Sequence, residues 1–477
     1  MINESLVKLF TEWANEKPFK ITPLPQSGSN RKYYRIRSSQ KIAIGVDSSD
    51  HKENLAYVEF TNHFLKFGLN VPVIYSLDLV NGVYLLEDLG DITLFSYLTE
   101  KRNDDKFPAK IRNIYKKVLE HLPEFQIKAA NKFPYECCYP RSEFDNQSMK
   151  WDLNYFKYYF LKLAQIDFDE QALENDFQTF IDYLLKAPRD YFLYRDFQSR
   201  NIMLSGEKIF FIDFQGGRKG ALQYDVASLL YDAKAAIPFE IREELLDHYI
   251  NILKKYIVID PVEFRSLYYG YVLIRIMQAM GAYGFRGFYE KKAHFLASIP
   301  YALQNMKEVL SMIDLPVRLP TLIPVLKKLT ESERLLEIGT NRKKLKVSLN
   351  SFSYKRGIPV DESGHGGGFA FDCRALDNPG RYEQYKKHTG KDLRVIEFLK
   401  KDEDVQRFIY HVTQIIEISL DNYLERDFSN LMINFGCTGG QHRSVFMAEY
   451  FAEYIRNKYN VNVALRHREL EMKEEIS

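Results

Sequence analysis

The stretch YFLYRDFQSRNIMLSGEKIFFIDFQGG, from Tyr191 to Gly217, decides how the larger part of this chain is read. Two short apolar runs, NIML and KIFFIDF, flank the polar SGE, which is the pattern of a β-hairpin. Asp196 and Asn201 lie five apart on the turn before it, and Asp213 follows 17 residues after Asp196, past the hairpin. A strand that doubles back would gather these three oxygen-bearing side chains. Phosphoryl transfer needs little more: a carboxylate aimed at an acceptor hydroxyl and oxygen ligands that hold Mg²⁺ against phosphates. A lone Asp before a hairpin is an ordinary turn residue. The run of Arg195, Asp196, Asn201, hairpin and Asp213 is far more specific.

Working outward, 477 residues exceed one ordinary core, so two or three domains are expected. The composition, 45% hydrophobic and 27% charged, is that of a globular protein, and a net charge of +2 gives no global argument for nucleic acid. The four cysteines, Cys137, Cys138, Cys373 and Cys437, lack zinc-finger spacing and read as reduced thiols. The opening MINESLVKLFTEWANEKP has no long apolar segment, and no run elsewhere is long enough for a bilayer. The expectation is a cytoplasmic protein with no membrane contact.

Before the decisive stretch, KYYRIRS and KIAIGVD read as a hairpin, KENLAYVEFTNHFLKFG as a helix, and VYLLEDLG as a buried strand. Helical patterns fill about 103–190 and about 221–335. The most aromatic of them, Tyr268 to Tyr289, reads mainly as buried packing, with ring stacking on a sugar as the functional alternative. A charged linker near residue 340 leads into strands LKVSLNSF, GGFAFDCR, LMINFGC and NVNVALRH, interleaved with helices. DESGHGGG reads as a loop. The expected fold class is α+β: a bilobal unit over 1–335, with lobes of about 1–90 and about 91–335, then a smaller α/β domain over 345–477.

The first part resembles the aminoglycoside phosphotransferase-like kinases, most closely the AmgK-type kinases of cell-wall amino sugars, over about 20–330. SGSNRKYYRIR matches the loop and strand that cover nucleotide phosphates, and NVPVIYSLDLVNGVYLLEDLG matches the approach to the nucleotide hinge. The resemblance implies a protein-kinase-like fold, ATP and Mg²⁺ as cofactors, and a small sugar as acceptor. It makes Asp196 the residue that orients or deprotonates the sugar hydroxyl, with Asn201 and Asp213 on the metal. It puts Ser27, Gly28, Ser29 and Asn30 over the ATP phosphates, and the hinge from Glu87 to Leu89 against adenine. One departure stands out. Protein kinases place a phosphate-contacting lysine on the third strand, whereas Ile42 to Val46 contains none, and Lys41 sits only at its entry. Lys32 or Arg35, from the preceding strand, is the expected substitute.

The second domain carries FGCTGGQHRSVF, Phe435 to Phe446, an apolar strand running through a small-residue turn into a helix. Cys437, five residues, then Arg443 and Ser444 is the spacing of a tyrosine-phosphatase loop. Gly439 and Gly440 would let N–H groups turn inward, and the helix N-terminus would favour an anion and a Cys437 thiolate. A phosphatase also needs a general acid, which the sequence does not reveal. SFSYKRGIPVD, FDCRALDNPGRY, RDFSNLMINFGCTGGQHRS and LRHREL together resemble the C-terminal domain of the RNase adapter protein RapZ over about 345–470. That resemblance implies a domain that binds glucosamine-6-phosphate and small RNAs. Cys437, Thr438, Gly439, Gly440, His442, Arg443 and Ser444 would then form an anion pocket, approached by Asp372 and Arg374. The family's own N-terminal P-loop is missing here, and Gly380 stands where a histidine is expected, so the RNA role is a weaker expectation than the anion pocket. The basic residues Arg342, Lys343, Lys344 and Lys346, with Arg466, His467 and Arg468, are candidate RNA contacts, although such runs are more often solvated linkers and sheet edges.

The combined expectation is an ATP-dependent kinase of a small, hydroxyl-bearing amino sugar, joined to a domain that recognises a sugar phosphate or similar anion. The alternative from another class is a non-enzymatic adaptor, in which nucleotide binding switches partner or RNA binding.

Overall fold

The computed structural model describes residues 3–25, 31–102, 107–312, 315–338, 345–361, 368–425 and 428–470. Ser27, Gly28, Ser29 and Asn30, the basic residues Arg342 to Lys344, and 362–367 of the glycine-rich loop lie outside them. Tertiary contacts divide the chain into two compact units, 1–291 with 295–338, and 339–477 with 292–294.

The first unit begins with helix α1 (Glu4–Ala14) and a sheet of five antiparallel strands: β1 (Lys20–Pro23), β2 (Lys32–Arg37), β3 (Ile42–Asp47), β4 (Ile74–Asp78) and β5 (Val83–Leu86). Their order is β1-β2-β3-β5-β4. Strand alternation sends Ile36, Ala43, Val83 and Leu85 to one face, where they bury Leu6 and Phe10 of α1. Val46, Tyr84 and Leu86 belong to the other core, with Tyr57, Phe60 and Phe64 of helix α2 (His51–Lys66). The Asp50 side chain caps α2 by accepting from Glu53 N at 3.0 Å. This cap fixes where Glu53 leaves the helix.

Helices Ala109–Pro123, Asn146–Phe156, Glu170–Leu184, Leu222–Leu230, Phe239–Leu253 and Pro261–Tyr283 build the second lobe. The last begins at proline behind an Asp260 cap and runs through the core, with Tyr268 and Tyr271 fully buried. Most of the aromatic stretch is therefore packing, and only its end, at Tyr289, opens to solvent. Two small ribbons cross this lobe: β6 (Tyr191–Leu193) pairs with β9 (Arg218–Gly220), and β7 (Ile202–Ser205) with β8 (Lys208–Phe211). The fold is protein-kinase-like.

The second unit is an α/β layer of four parallel strands: β10 (Lys346–Ser353), β11 (Gly368–Asp372), β12 (Asn430–Cys437) and β13 (Asn462–His467), in the order β11-β12-β10-β13. Val347, Leu349, Ile433 and Phe435 share a core with Phe451 of helix Arg443–Lys458 and Ile416 of helix Glu403–Glu425. Burial of a parallel sheet by helices explains the apolar run LMINF. Register brings Ser353 opposite Cys437 and Asp372 opposite Gly436, so three strands end together at one edge. In open parallel sheets that carboxyl edge is where ligands sit.

Candidate active site and anion-binding loop

In the first unit the turn between β6 and β7 is held from below by a buried carboxylate. Asp225, in the helix Leu222–Leu230, accepts from Tyr194 N at 2.8 Å, Arg195 N at 2.9 Å and Gln126 Nε2 at 3.0 Å. Burial pushes its carboxyl up to about 7, against the pull of the two amides and the glutamine. Arg195 adopts φ of +76°, a conformation rare without glycine, and its guanidinium is tied to Asp152 at 3.1 Å. Strain so anchored is characteristic of functional turns. It presents the next residue, Asp196, at the cleft.

Asn201 closes the turn, its Nδ2 donating to Asp196 O at 2.9 Å and to Asp213 Oδ2 at 3.0 Å. Asp213, just past β8, also has positive φ, +68°, and accepts from Gln215 Nε2 at 2.9 Å. Asp213 reaches solvent, yet the hydration it loses to the surrounding protein and the nearby Asp196 push its carboxyl above its ordinary value, against the pull of Gln215 and Arg31. The structure thus brings Asp196, Asn201 and Asp213 together. Their oxygens suit a hard divalent cation. Among the described residues no group of three His, Cys, Asp or Glu forms a self-contained metal cage. Two carboxylates and one amide oxygen, those of Asp196, Asp213 and Asn201, fit magnesium, which takes one or two carboxylates and completes its shell with waters and phosphates.

Beside Asp196 opens a cavity of about 150 Å³ whose lining includes Gln198, Arg200, Asp232, Arg275 and Tyr283. Asp232 accepts from Ser199 Oγ at 2.6 Å, and Arg275 donates through Nε to Ser228 Oγ at 2.9 Å and through a second nitrogen to Gln278. At the hinge, Glu87 N donates to Val73 O at 2.9 Å, and Leu89 is buried.

The expected substitutes for the strand lysine are placed otherwise. Lys32 is exposed. Arg35 is bound to hinge carboxylates, to Asp88 at 2.7 and 2.9 Å and to Asp91 at 2.9 Å. The cation that reaches the α2 glutamate is Arg31, 3.3 Å from Glu53. Arg31, Glu53, Asp152, Asp225, Asp232 and Arg275 were not singled out by sequence. The one readable signal was Asp225, an acid inside the apolar LQYDVASLL, since a carboxylate there must find buried partners.

In the second unit Cys437 ends β12, buried, with Sγ 3.2 Å from Ser444 Oγ and accepting from Gly440 N at 3.2 Å. Gly440 has φ of +69°, and a Cβ there would fall 2.3 Å from Glu469 Cγ, so only glycine fits. Thr438 and Gly439 face solvent. Ser353 Oγ donates to Thr438 O at 2.7 Å, and His442 Nε2 is hydrogen-bonded to Tyr385 O at 3.0 Å. Arg443 departs from the phosphatase-loop expectation. Its side chain is buried, and Nη1 donates to Arg374 O at 2.9 Å and Leu376 O at 2.7 Å, joining the loop to the turn after β11. Asp372 and Arg374 form an exposed ion pair at 2.6 Å, and hydrogen bonding from Arg374 holds the Asp372 carboxyl below its ordinary value. His467 is not a surface base. It is buried between Ser351 Oγ at 2.9 Å and Glu449 Oε1 at 3.0 Å.

The fold and first site define a phosphotransferase of the protein-kinase-like class. The phosphotransferase enzyme family model matches residues 20–261, just over half of the chain, and the chain belongs to that family. The RapZ C-terminal domain model matches residues 345–471. The RNase adapter protein RapZ of Hamiltonella defensa is 38% identical over 148 residues, 31% of this chain and 50% of that protein. A nucleotide-binding protein of Actinobacillus pleuropneumoniae is 38% identical over 144 residues, 30% of this chain and 48% of its own. The chain spans about half the length of these curated relatives. Among solved structures, the choline kinase LicA of Streptococcus pneumoniae aligns with TM-score 0.42 and 15% identity, over 65% of this chain and 98% of its own. A spectinomycin phosphotransferase bound to ADP and spectinomycin aligns with TM-score 0.41 and 14% identity, over 69% and 98%. No helix among the described residues is long and apolar enough to cross a membrane.

Proposed function

We propose that the first unit is a cytoplasmic, ATP- and Mg²⁺-dependent kinase that phosphorylates a hydroxyl of a small amino sugar. The second unit, in this reading, binds a phosphorylated amino sugar or similar anion. The observation that carries the kinase reading is the meeting of Asp196, Asn201 and Asp213 across one turn and one returning strand. Asp196 takes the proton of the acceptor hydroxyl as the hydroxyl oxygen bonds to the γ-phosphorus of ATP and the bond from that phosphorus to the bridging oxygen breaks, releasing ADP. Asn201 and Asp213 hold magnesium, which when bound neutralises phosphate charge. Asp225 and Asp152 keep the turn in its strained form. Arg200 and Arg275 at the neighbouring cavity are balanced by Asp196 and Asp232, and a polar lining without net charge suits a neutral polyol, which supports a sugar.

In the second unit, the glycine-bearing turn at the carboxyl edge of a parallel sheet, followed by a helix N-terminus, supports anion binding. Commitment of Arg443 to two carbonyls supports a holding loop in preference to a nucleophilic one. The decisive experiment is transfer from labelled ATP to a panel holding N-acetylmuramate, N-acetylglucosamine, choline and an aminoglycoside. A labelled amino sugar is expected, and Asp196→Asn should lower turnover by about 10²–10⁴ while ATP binding persists. Label on choline alone would replace the acceptor class. No label on any acceptor would end the kinase reading.

A further inference from the structure

The third strand of this lobe, IAIGVD, offers no cation to the α2 glutamate, yet Glu53 is not left without one. Arg31 stands immediately before β2, next in sequence to Ser27–Asn30, and is only 2% exposed. Its guanidinium lies 3.3 Å from Glu53 Oε1 and stacks over the Tyr57 ring, 5.7 Å from the centroid. A buried guanidinium is retained only where partners compensate its lost hydration. Here the partner is the residue that Asp50 positions at the start of α2.

The pair does not stop at Glu53. Gln215 Nε2 is shared between Glu53 Oε1 at 3.3 Å and Asp213 Oδ1 at 2.9 Å. The other oxygen of Asp213 receives Asn201 Nδ2 at 3.0 Å, and the same nitrogen reaches Asp196 O at 2.9 Å. One continuous chain of polar contacts therefore runs from the mouth of β2 through α2 to the residues proposed to hold magnesium and the acceptor. A planar guanidinium can satisfy several acceptors at once, which an ammonium on a flexible stem does less well. This explains how the lobe dispenses with a lysine on β3.

We infer that Arg31 is a positioning residue that takes over the strand lysine's place opposite the helix glutamate, and that it sets the Asp213 carboxylate through Glu53 and Gln215. The inference rests on the kinase reading for its consequence in turnover, but not for its consequence in binding. Neither Lys32, exposed on β2, nor Arg35, tied to the hinge, shares this role.

The test uses the full chain with Mg-ATP as probe, measured by calorimetry, beside labelled transfer to the acceptor panel. Arg31→Met is expected to weaken Mg-ATP binding about tenfold and to raise the Mg²⁺ needed for half-maximal turnover, with the acceptor KM little changed. Arg31→Lys should recover part of both. Lys32→Ala should leave binding and turnover unchanged. Gln215→Met leaves Arg31 and Glu53 in place but cuts the link to Asp213, and should raise the Mg²⁺ requirement about threefold without altering thermal unfolding. It also serves if Arg31→Met fails to fold. Wild-type Mg-ATP affinity in a folded Arg31→Met, an unchanged Mg²⁺ requirement in Gln215→Met, or an equal loss in Lys32→Ala would overturn the inference. If the wild type binds Mg-ATP but labels no acceptor, the kinase reading falls, while the binding measurements on Arg31→Met still decide this one.

Discussion

Arg443→Ala tests how the second unit holds its loop together. The arginine opens the helix Arg443–Lys458, only 4% exposed, and Nη1 donates to Arg374 O and Leu376 O at 2.9 and 2.7 Å. Truncation strips both carbonyls of a charged donor. Each such bond contributes about 1.5–3 kcal/mol, so the gross loss is roughly 3–6 kcal/mol. Against this, the variant no longer buries a guanidinium whose Nε has no partner among the described residues. A net loss of about 3 kcal/mol follows, close to a hundredfold in the local opening constant. Hydrogen exchange on the full chain reads this directly. Amides of β12 and of the turn Cys373–Ala375 should exchange about a hundredfold faster, while those of the first unit stay as they are. Arg443→Lys keeps the charge, but its side chain is one atom shorter and its ammonium stops short of the Nη1 position that meets both carbonyls, so it should fall between. Exchange in Arg443→Ala within threefold of wild type would refute the structural role assigned to this arginine. Binding of glucosamine-6-phosphate should be abolished in Arg443→Ala and partly restored in Arg443→Lys.

Other outcomes follow from the same geometry. Cys437→Ser should keep most anion binding, because a hydroxyl can still meet Ser444 Oγ and Gly440 N; burst release from an aryl phosphate, lost in Cys437→Ser, would instead make Cys437 a nucleophile. Asp225 has a folded-state value of about 7, above its ordinary 3.8, so the folded chain keeps a proton that the unfolded chain releases. Stability of the first unit should therefore fall as pH rises between about 4 and about 7, by a total of roughly 4 kcal/mol, and flatten beyond. Denaturant titrations across that window should show the slope, and Asp225→Asn should remove it. Gly284→Ala would put a Cβ 1.9 Å from Tyr159 O, which is backbone and cannot swing aside, so a loss of about 3 kcal/mol or more and a clear fall in Tm are expected. An unchanged Tm would show that the backbone at Gly284 does not approach Tyr159 O this closely.

Much of the first site was legible because its parts are close in sequence. The apolar runs and SGE define a hairpin by local turn chemistry, and a hairpin brings Asp213 back toward Asn201 whatever surrounds it. The aromatic stretch was less legible. Tyr268 and Tyr271 have the same composition whether they line a sugar pocket or fill a core, and only the helices packed on every side of Pro261–Tyr283 decide for the core. Among the basic residues near the end, His467 was illegible for a similar reason: it looks like surface charge in LRHREL but points inward to Ser351 and Glu449.

By itself, then, the amino-acid order determined the two-part organisation, the hairpin with its three oxygen-bearing residues, and the strand-turn-helix around Cys437. Each depends on periodicity or turn preference within a few dozen residues. Tertiary structure alone decided the partners of the buried charges: Arg31 with Glu53, Arg35 with the hinge acids, Asp225 beneath the strained turn, Arg443 on two carbonyls. The physical reason is that a charge moved out of water must take whichever counter-charge or dipole the packed helices and strands bring to it. That choice is made across the fold, at separations where neighbouring letters carry no information.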